Sequence, residues 1–205
     1  MKTWDQFYPY ILTDVIGCPF PLVDNALCLA AREFCQDTSA IREWSDEVTA
    51  DGISPVFDFD ISTSQELVKV MKAIVNDVGY DVISYKELPE DWQNASPGSI
   101  GNKVVQLDLL QYRVFPAPVA GDVIALQIAT CPTIRATSCA DDLVTRYADD
   151  IANGAKARLM TTKGNAWSDV ALGAHFKTLF ATSKNSAANE DIKQRSHILV
   201  TKSIL

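Results

Sequence analysis

The chain has 205 residues, 47% of them apolar and 21% charged, and its 18 Lys and Arg against 26 Asp and Glu leave a formal net charge of −8. A chain of this size buries roughly 70% of the surface its unfolded form exposes, so neither disulfides nor a metal are needed for a stable core. The composition excludes disorder over most of the length, and uncharged runs such as residues 123–134 fall short of the ~20 residues of a membrane-spanning helix, so no membrane partner is expected.

The first residues hold Lys2 and Asp5 with no apolar stretch behind them, so no secretory signal is expected and assembly is placed in the cytoplasm. Five cysteines, Cys18, Cys28, Cys35, Cys131 and Cys139, form no Cys-x-x-Cys pair, which argues for reduced, buried thiols rather than a disulfide framework or zinc ribbon. Charge is unevenly spread. Residues 1–60 carry 3 basic and 11 acidic side chains, whereas residues 151–205 carry 8 basic and 3 acidic ones. An acidic head and a basic tail could pair between copies, serve two different partners, or be two solvated faces.

In chain order, Trp4, Phe7, Tyr8, Ile11 and Leu12 predict a short helix, which Gly17, Pro19 and Pro21 interrupt. Val23, Ala26, Leu27, Ala30, Ala31 and Phe34 then recur at helical spacing to about Gln36. From Ser45 to Pro132 short apolar stretches alternate with turn residues. Strands are predicted at residues 43–50, 103–107, 111–115 and 122–129, the last two separated by Pro116-Ala117-Pro118. Residues 66–78 are ambiguous: Leu67, Val70, Met71, Ile74, Val75 and Val78 follow a helical period, while their β-branched content and surroundings suit a strand.

Helical patterning returns after Cys139, where Leu143, Val144, Tyr147, Ala148, Ile151, Ala152, Ala155 and Leu159 share a face and Asp141 and Asp142 suit the N-terminal dipole. A glycine inside this helix is costly, so Gly154 and Ala155 predict a close helix crossing. After a stop at residues 161–164, Ser168 is the expected N-cap of a last helix carrying Leu172, Phe176, Leu179 and Phe180. Beyond Ser183 a polar linker leads to the apolar, β-prone residues 198–205, an expected docking arm or terminal strand. The expected fold is α+β: a helical-bundle core, built from the N-terminal helix and two C-terminal helices, with an inserted β-rich lobe and an extended C-terminal arm. Its parts are residues 1–44 and 136–184 for the core, 45–135 for the lobe, and 185–205 for linker and arm.

Little in the sequence points to catalysis. His175 and His197 stand 22 residues apart, and the acid pairs Asp141-Asp142 and Asp149-Asp150 face different directions on a helix, so no metal or other cofactor is expected. Residues 97–103 have the wrong spacing for a phosphate loop and read as a turn. An acidic chain lacks the footprint of a sequence-reading nucleic-acid binder, although an acidic wall would let a duplex slide past.

The C-terminal segments carry a resemblance. Tyr147-Ala148-Asp149-Asp150-Ile151-Ala152-Asn153-Gly154-Ala155-Lys156-Ala157-Arg158-Leu159-Met160, then Gly164-Asn165-Ala166-Trp167-Ser168-Asp169, then Leu172-Gly173-Ala174-His175-Phe176 and Phe180, resemble the end of tailed-bacteriophage head-to-tail adaptor (connector) proteins. Trp4 and Phe7, Gly17-Cys18-Pro19, Pro21, Ala26-Leu27 and Ala30 to Cys35 match its beginning, and Pro116-Ala117-Pro118 before a strand ending at Pro132 is similar to its β insert.

The resemblance implies a non-enzymatic virion protein that forms a ring, usually of twelve copies, in the neck between portal and tail. Its partners would be itself, the portal, the tail tube or nozzle protein, tail fibres, and passing double-stranded DNA bound without sequence preference. It gives Ile198, Leu199, Val200, Ile204 and Leu205 a place as a portal-docking arm, makes Gly154, Ala155, Trp167, Phe176 and Phe180 the helix-packing residues, and implies that residues 66–78 are at least partly strand. A tail-completion or stopper protein of the same neck is the near alternative. A small cytoplasmic hydrolase pairing His175 with an Asp or Ser is the alternative from another class.

Overall fold

The computed structural model describes residues 1–88, Trp92 and residues 100–201, beyond Asn189 by backbone alone. The chain forms two compact units, Met1–Ile41 with Cys131–Leu205, and Arg42–Thr130. Among the described residues the main element is an eight-stranded mixed sheet curled into a half-barrel, accompanied by four helices. The expected α+β helical-bundle core with an inserted lobe is therefore corrected to a β-rich fold.

The sheet runs β2 (Ile41–Trp44), β9 (Val123–Pro132), β5 (Gln65–Val75), β6 (Val78–Ser84), β7 (Lys103–Gln106), β8 (Gln111–Phe115), β4 (Val56–Asp58), with β3 (Val48–Thr49) also paired to β9. A separate pair joins β1 (Lys2–Thr3) to β10 (Ser138–Cys139). β6 and β7 are parallel, while β5–β6, β7–β8 and β4–β8 are antiparallel.

Residues 66–78, ambiguous in the sequence and partly strand by the resemblance, form strand β5 and its turn into β6, a strand the sequence reading did not predict. Asn76 and Asp77 both adopt positive φ, 47° and 63°, which is the geometry of a two-residue hairpin turn whose twist matches its strands. Val75 pairs Val78 across it. The buried positions of β5 are Leu67, Val70, Ala73 and Val75. Three-residue steps are not what a flat strand presents to one face, and a coiled strand in a curled sheet accounts for a helical-looking period in β structure. Around β5 the sheet core gathers Val104, Val114, Ile124, Leu126 and Ile128. Tyr112 is stacked on Phe57 and meets the tilted Phe59 ring at ring-centroid distances of 5.6 and 4.9 Å, and burial pushes its hydroxyl up to about 12.

In the helical unit Trp4 to Phe7 form a short 3-10 turn leading into α1 (Tyr8–Ile11), with Trp4, Phe7, Ile11 and Val15 buried. The Trp4 indole donates to the Ala136 carbonyl at 2.8 Å. α2 (Phe20–Thr38) starts after extended Pro19 and ends at left-handed Ser39, whose N–H returns to Cys35 O. Its buried face holds Val23, Leu27, Ala30, Ala31 and Phe34. α3 (Asp141–Met160) is kinked at Tyr147 (φ −131°).

α4 (Val170–Thr201) is capped by Asp169, which accepts the Leu172 N–H, rather than by the expected Ser168. Ser168 instead ties the preceding turn, donating to Thr162 O and accepting Asn165 N–H. Residues 185–201, expected as linker and extended arm, continue α4. They hold Ala187, Ala188, Lys193, Gln194 and Arg195 without Gly or Pro, so a helix already started propagates through them.

Candidate functional site

The densest set of specific contacts lies where α2, α3 and α4 of the helical unit meet. Gly154 sits in mid-α3, and a Cβ built on it would lie 2.9 Å from Cε2 and Cζ of Phe180 on α4 and 3.0 Å from Cβ of Ala30 on α2. A residue without a side chain is what lets three helices approach this closely. Ala155 beside it is fully buried, and Phe180 packs on Phe34 at 6.2 Å. Phe176, one turn earlier on α4, is also buried, and Trp167 lies half-buried in the turn joining α3 to α4. Ile198, Leu199 and Val200 belong to the last turns of α4, where the backbone is helical, and Ile204 and Leu205 lie outside the described residues.

Charge is concentrated at the same crossing. Glu33 and Asp37 stand one turn apart on α2 and share a face. Lys184 Nζ donates to Glu33 Oε1 at 2.5 Å and to Asp37 Oδ2 at 2.7 Å, and Arg158 of α3 donates to Glu33 Oε2. The same ammonium stands 4.8 Å above the Phe180 ring. Burial raises the Glu33 carboxyl, but the bond and charge of Lys184 and the Arg158 guanidinium outweigh it and hold the group below its ordinary value. Burial likewise lowers Lys184, and its bonds to Asp37 and Glu33 overcome that and raise it.

Sequence reading missed this network. The signal was present in the acidic head and basic tail, whose charges pair in part within one chain. A second such pair is Lys156 Nζ to Asp14 Oδ2 at 3.0 Å, with the ammonium 4.1 Å over Phe176. The terminal ammonium of Met1 reaches Asp141 at 2.7 Å, and this bond holds the Asp141 carboxyl below its ordinary value.

At the crossing lies an open cleft of about 500 Å³, with Gly154, Ala157, Arg158, Lys177 and Phe180 among its lining. Lys177 forms no ion pair among the described residues. His175 is exposed on α4 with its ring 5.9 Å from that of Phe176, and among the described residues it bonds to no Asp or Ser. No group of three His, Cys, Asp or Glu among them could hold a metal ion, and no described helix is long and apolar enough to cross a membrane. All five cysteines are buried and unbonded to each other. The contacts of Gly154, Phe180, Lys184 and Arg158 hold α2, α3 and α4 together. No protein-family model matches the chain, and no curated protein matches it.

Proposed function

We propose that this chain is a structural protein of a tailed-phage neck, an adaptor that forms a ring between portal and tail, lines the DNA exit channel and gives tail components a platform. It does this without enzymatic activity. The observation that carries the reading is the order and spacing of short motifs, from Trp4 and Phe7 through Gly17-Cys18-Pro19 to the Gly154 helix, the Gly164-to-Asp169 turn and Phe180.

Other features support it. Aliphatic side chains stand in water on both units, Ile16 at 76% and Leu110 at 72% exposure among them, and assembly would cover such groups. Twelve copies at −8 each would carry −96, which suits a conduit that must not grip its cargo. Residues 184–201 add roughly 27 Å of helix at 1.5 Å per residue, a reach suited to a terminal segment that enters a neighbouring protein.

The test is to mix the purified protein with the portal of the same virion and image the product by electron microscopy. Rings seated on the portal are expected. Persistent monomers, no portal binding and no neck density in virions would overturn the reading. Deleting residues 198–205 is expected to leave the body folded and weaken portal attachment, and unchanged attachment would remove the arm from the proposal.

A further inference from the structure

We infer that copies of this chain join head to tail: a loop tip bearing Ile53 and Val119 on one copy's sheet unit seats in the cleft over Gly154 and Phe180 on the next copy's helical unit. This rests on the ring reading above and names the surfaces that would make the ring.

The tip is apolar, exposed and held in shape. Ile53 is 88% and Val119 66% exposed, the kind of paired aliphatic surface that anchors an interface when a partner covers it. Two loops are zipped together beneath them: Ala50 N–H donates to Asp122 O at 2.8 Å and Gly121 N–H to Ala50 O at 2.9 Å. Gly52, at φ 74°, lies so close to Ala120 that a Cβ there would come within 2.7 Å of its nitrogen. Asp51 Oδ1 accepts the N–H groups of Ile53 and Ser54, and Asp122 takes the Val119 N–H on one oxygen and the Asn76 amide on the other. A tip fixed in this way loses little conformational freedom on binding. Its loops bring Asp51, Asp77 and Asp122 to this end of the sheet, and residues 45–58, 75–78 and 116–123 contain no Lys or Arg.

The cleft is the complement. The Phe180 ring beside Gly154 lines it together with Arg158 and with Lys177, which is unpaired among the described residues. Glu33, the acid in that lining, is already held by Lys184 and Arg158. An apolar knob among carboxylates therefore meets a cleft lined in part by apolar groups, beside an ammonium unpaired among the described residues. Knob and hole are different surfaces of the same chain, so the contact is heterologous, and repeated contacts of that kind close into a ring when the rotation permits.

Disulfide trapping tests this. Ile53→Cys and Lys177→Cys variants of the full chain are mixed in equal amounts, oxidised mildly, and read on a non-reducing gel, with negative-stain images of the same sample. The five native thiols are buried, which keeps the background low. A dimer-sized product is expected in the mixture and in neither variant alone. In parallel, Lys177→Asp is expected to lower ring yield about tenfold or more and Lys177→Arg to keep most of it. Rings without the cross-link and with the same yield in Lys177→Asp would overturn this interface and leave the ring reading standing. So would cross-linking by Ile53→Cys alone, which would set tip against tip. A chain that stays monomeric both alone and with the virion's portal would overturn both.

Discussion

Phe180 lies on Gly154 so tightly that two of its ring carbons stand 2.9 Å from where a Cβ would be. The ring has little room to retreat, with Phe34 at 6.2 Å and the Lys184 ammonium at 4.8 Å, and Ala30 Cβ closes the other side at 3.0 Å. Gly154→Ala gains about 1 kcal/mol of helix propensity and loses roughly 1–3 kcal/mol to overpacking. Overpacking is expected to win, with a net loss of about 1 kcal/mol in urea unfolding. Adding Phe180→Leu makes room, so the double variant should be less destabilised than the sum of the two. A gain in stability from Gly154→Ala would mean that the crossing yields.

The Glu33–Lys184 pair makes a pH prediction with a defined sign. Glu33 titrates below its ordinary 4.5 in the fold, so its contribution is present at neutral pH and is lost as pH falls through the lowered value. Lys184 titrates above its ordinary 10.5, so its contribution is present below that pH and is lost as pH rises through the raised value. Glu33→Gln should flatten the fall in urea midpoint between pH 6 and pH 3. Lys184 is 16% exposed and Glu33 38%, so solvent screens the pair in part, and Lys184→Met should cost about 1–2 kcal/mol at pH 7, less than a fully buried pair. An acid limb unchanged in Glu33→Gln would remove the network from the stability of the crossing.

These contacts mark where the sequence was legible. Helices α2 and α3 follow from apolar spacing with Pro before one and Asp in the first turn of the other, because both bury a single stripe. Strands β7, β8 and β9 were readable from apolar runs bounded by Pro and Gly. The fold class was not, for a local reason: β5 buries Leu67, Val70 and Ala73 at a helical step, and Asn76-Asp77 makes a left-handed turn without glycine, so residues 66–78 read as either helix or strand and β6 went unread. The Gly154 position was visible as a costly glycine, whereas Lys184, Arg158, Glu33 and Asp37 were not visible as a set. They are brought together by tertiary packing across more than a hundred residues, and one-dimensional charge counts register only their opposite signs.

Thiol chemistry should report the integrity of the helical unit. Burial raises the Cys28 and Cys35 thiols and pushes Cys139 up to about 12, so few thiolates exist at neutral pH and reagents need thiolate. Native protein with Ellman's reagent at pH 7.5 is expected to react slowly, Cys18 first at 8% exposure, and five equivalents should appear at once in denaturant. Rapid labelling of Cys35 in the native state, read by mass spectrometry, would contradict the packing of α2.

Lys156 and Asp14 allow a sharper test, because the two ends of one ion pair sit in different surroundings. The Lys156 side chain is 10% exposed and that of Asp14 35%. Replacing Lys156 by Met removes the buried charge, keeps the volume and places a thioether on the Phe176 ring, while Asp14 can still be solvated. That change is expected to cost within about 1 kcal/mol. Asp14→Asn instead strands an ammonium that water reaches poorly, with the Phe176 face as its remaining partner, and should cost about 2–3 kcal/mol. Urea unfolding of the two variants at pH 7 measures the asymmetry. Equal losses would mean that water reaches Lys156 as readily as Asp14, and the stacking of α4's Phe176 over α3 would then be looser than a 4.1 Å cation–ring contact implies.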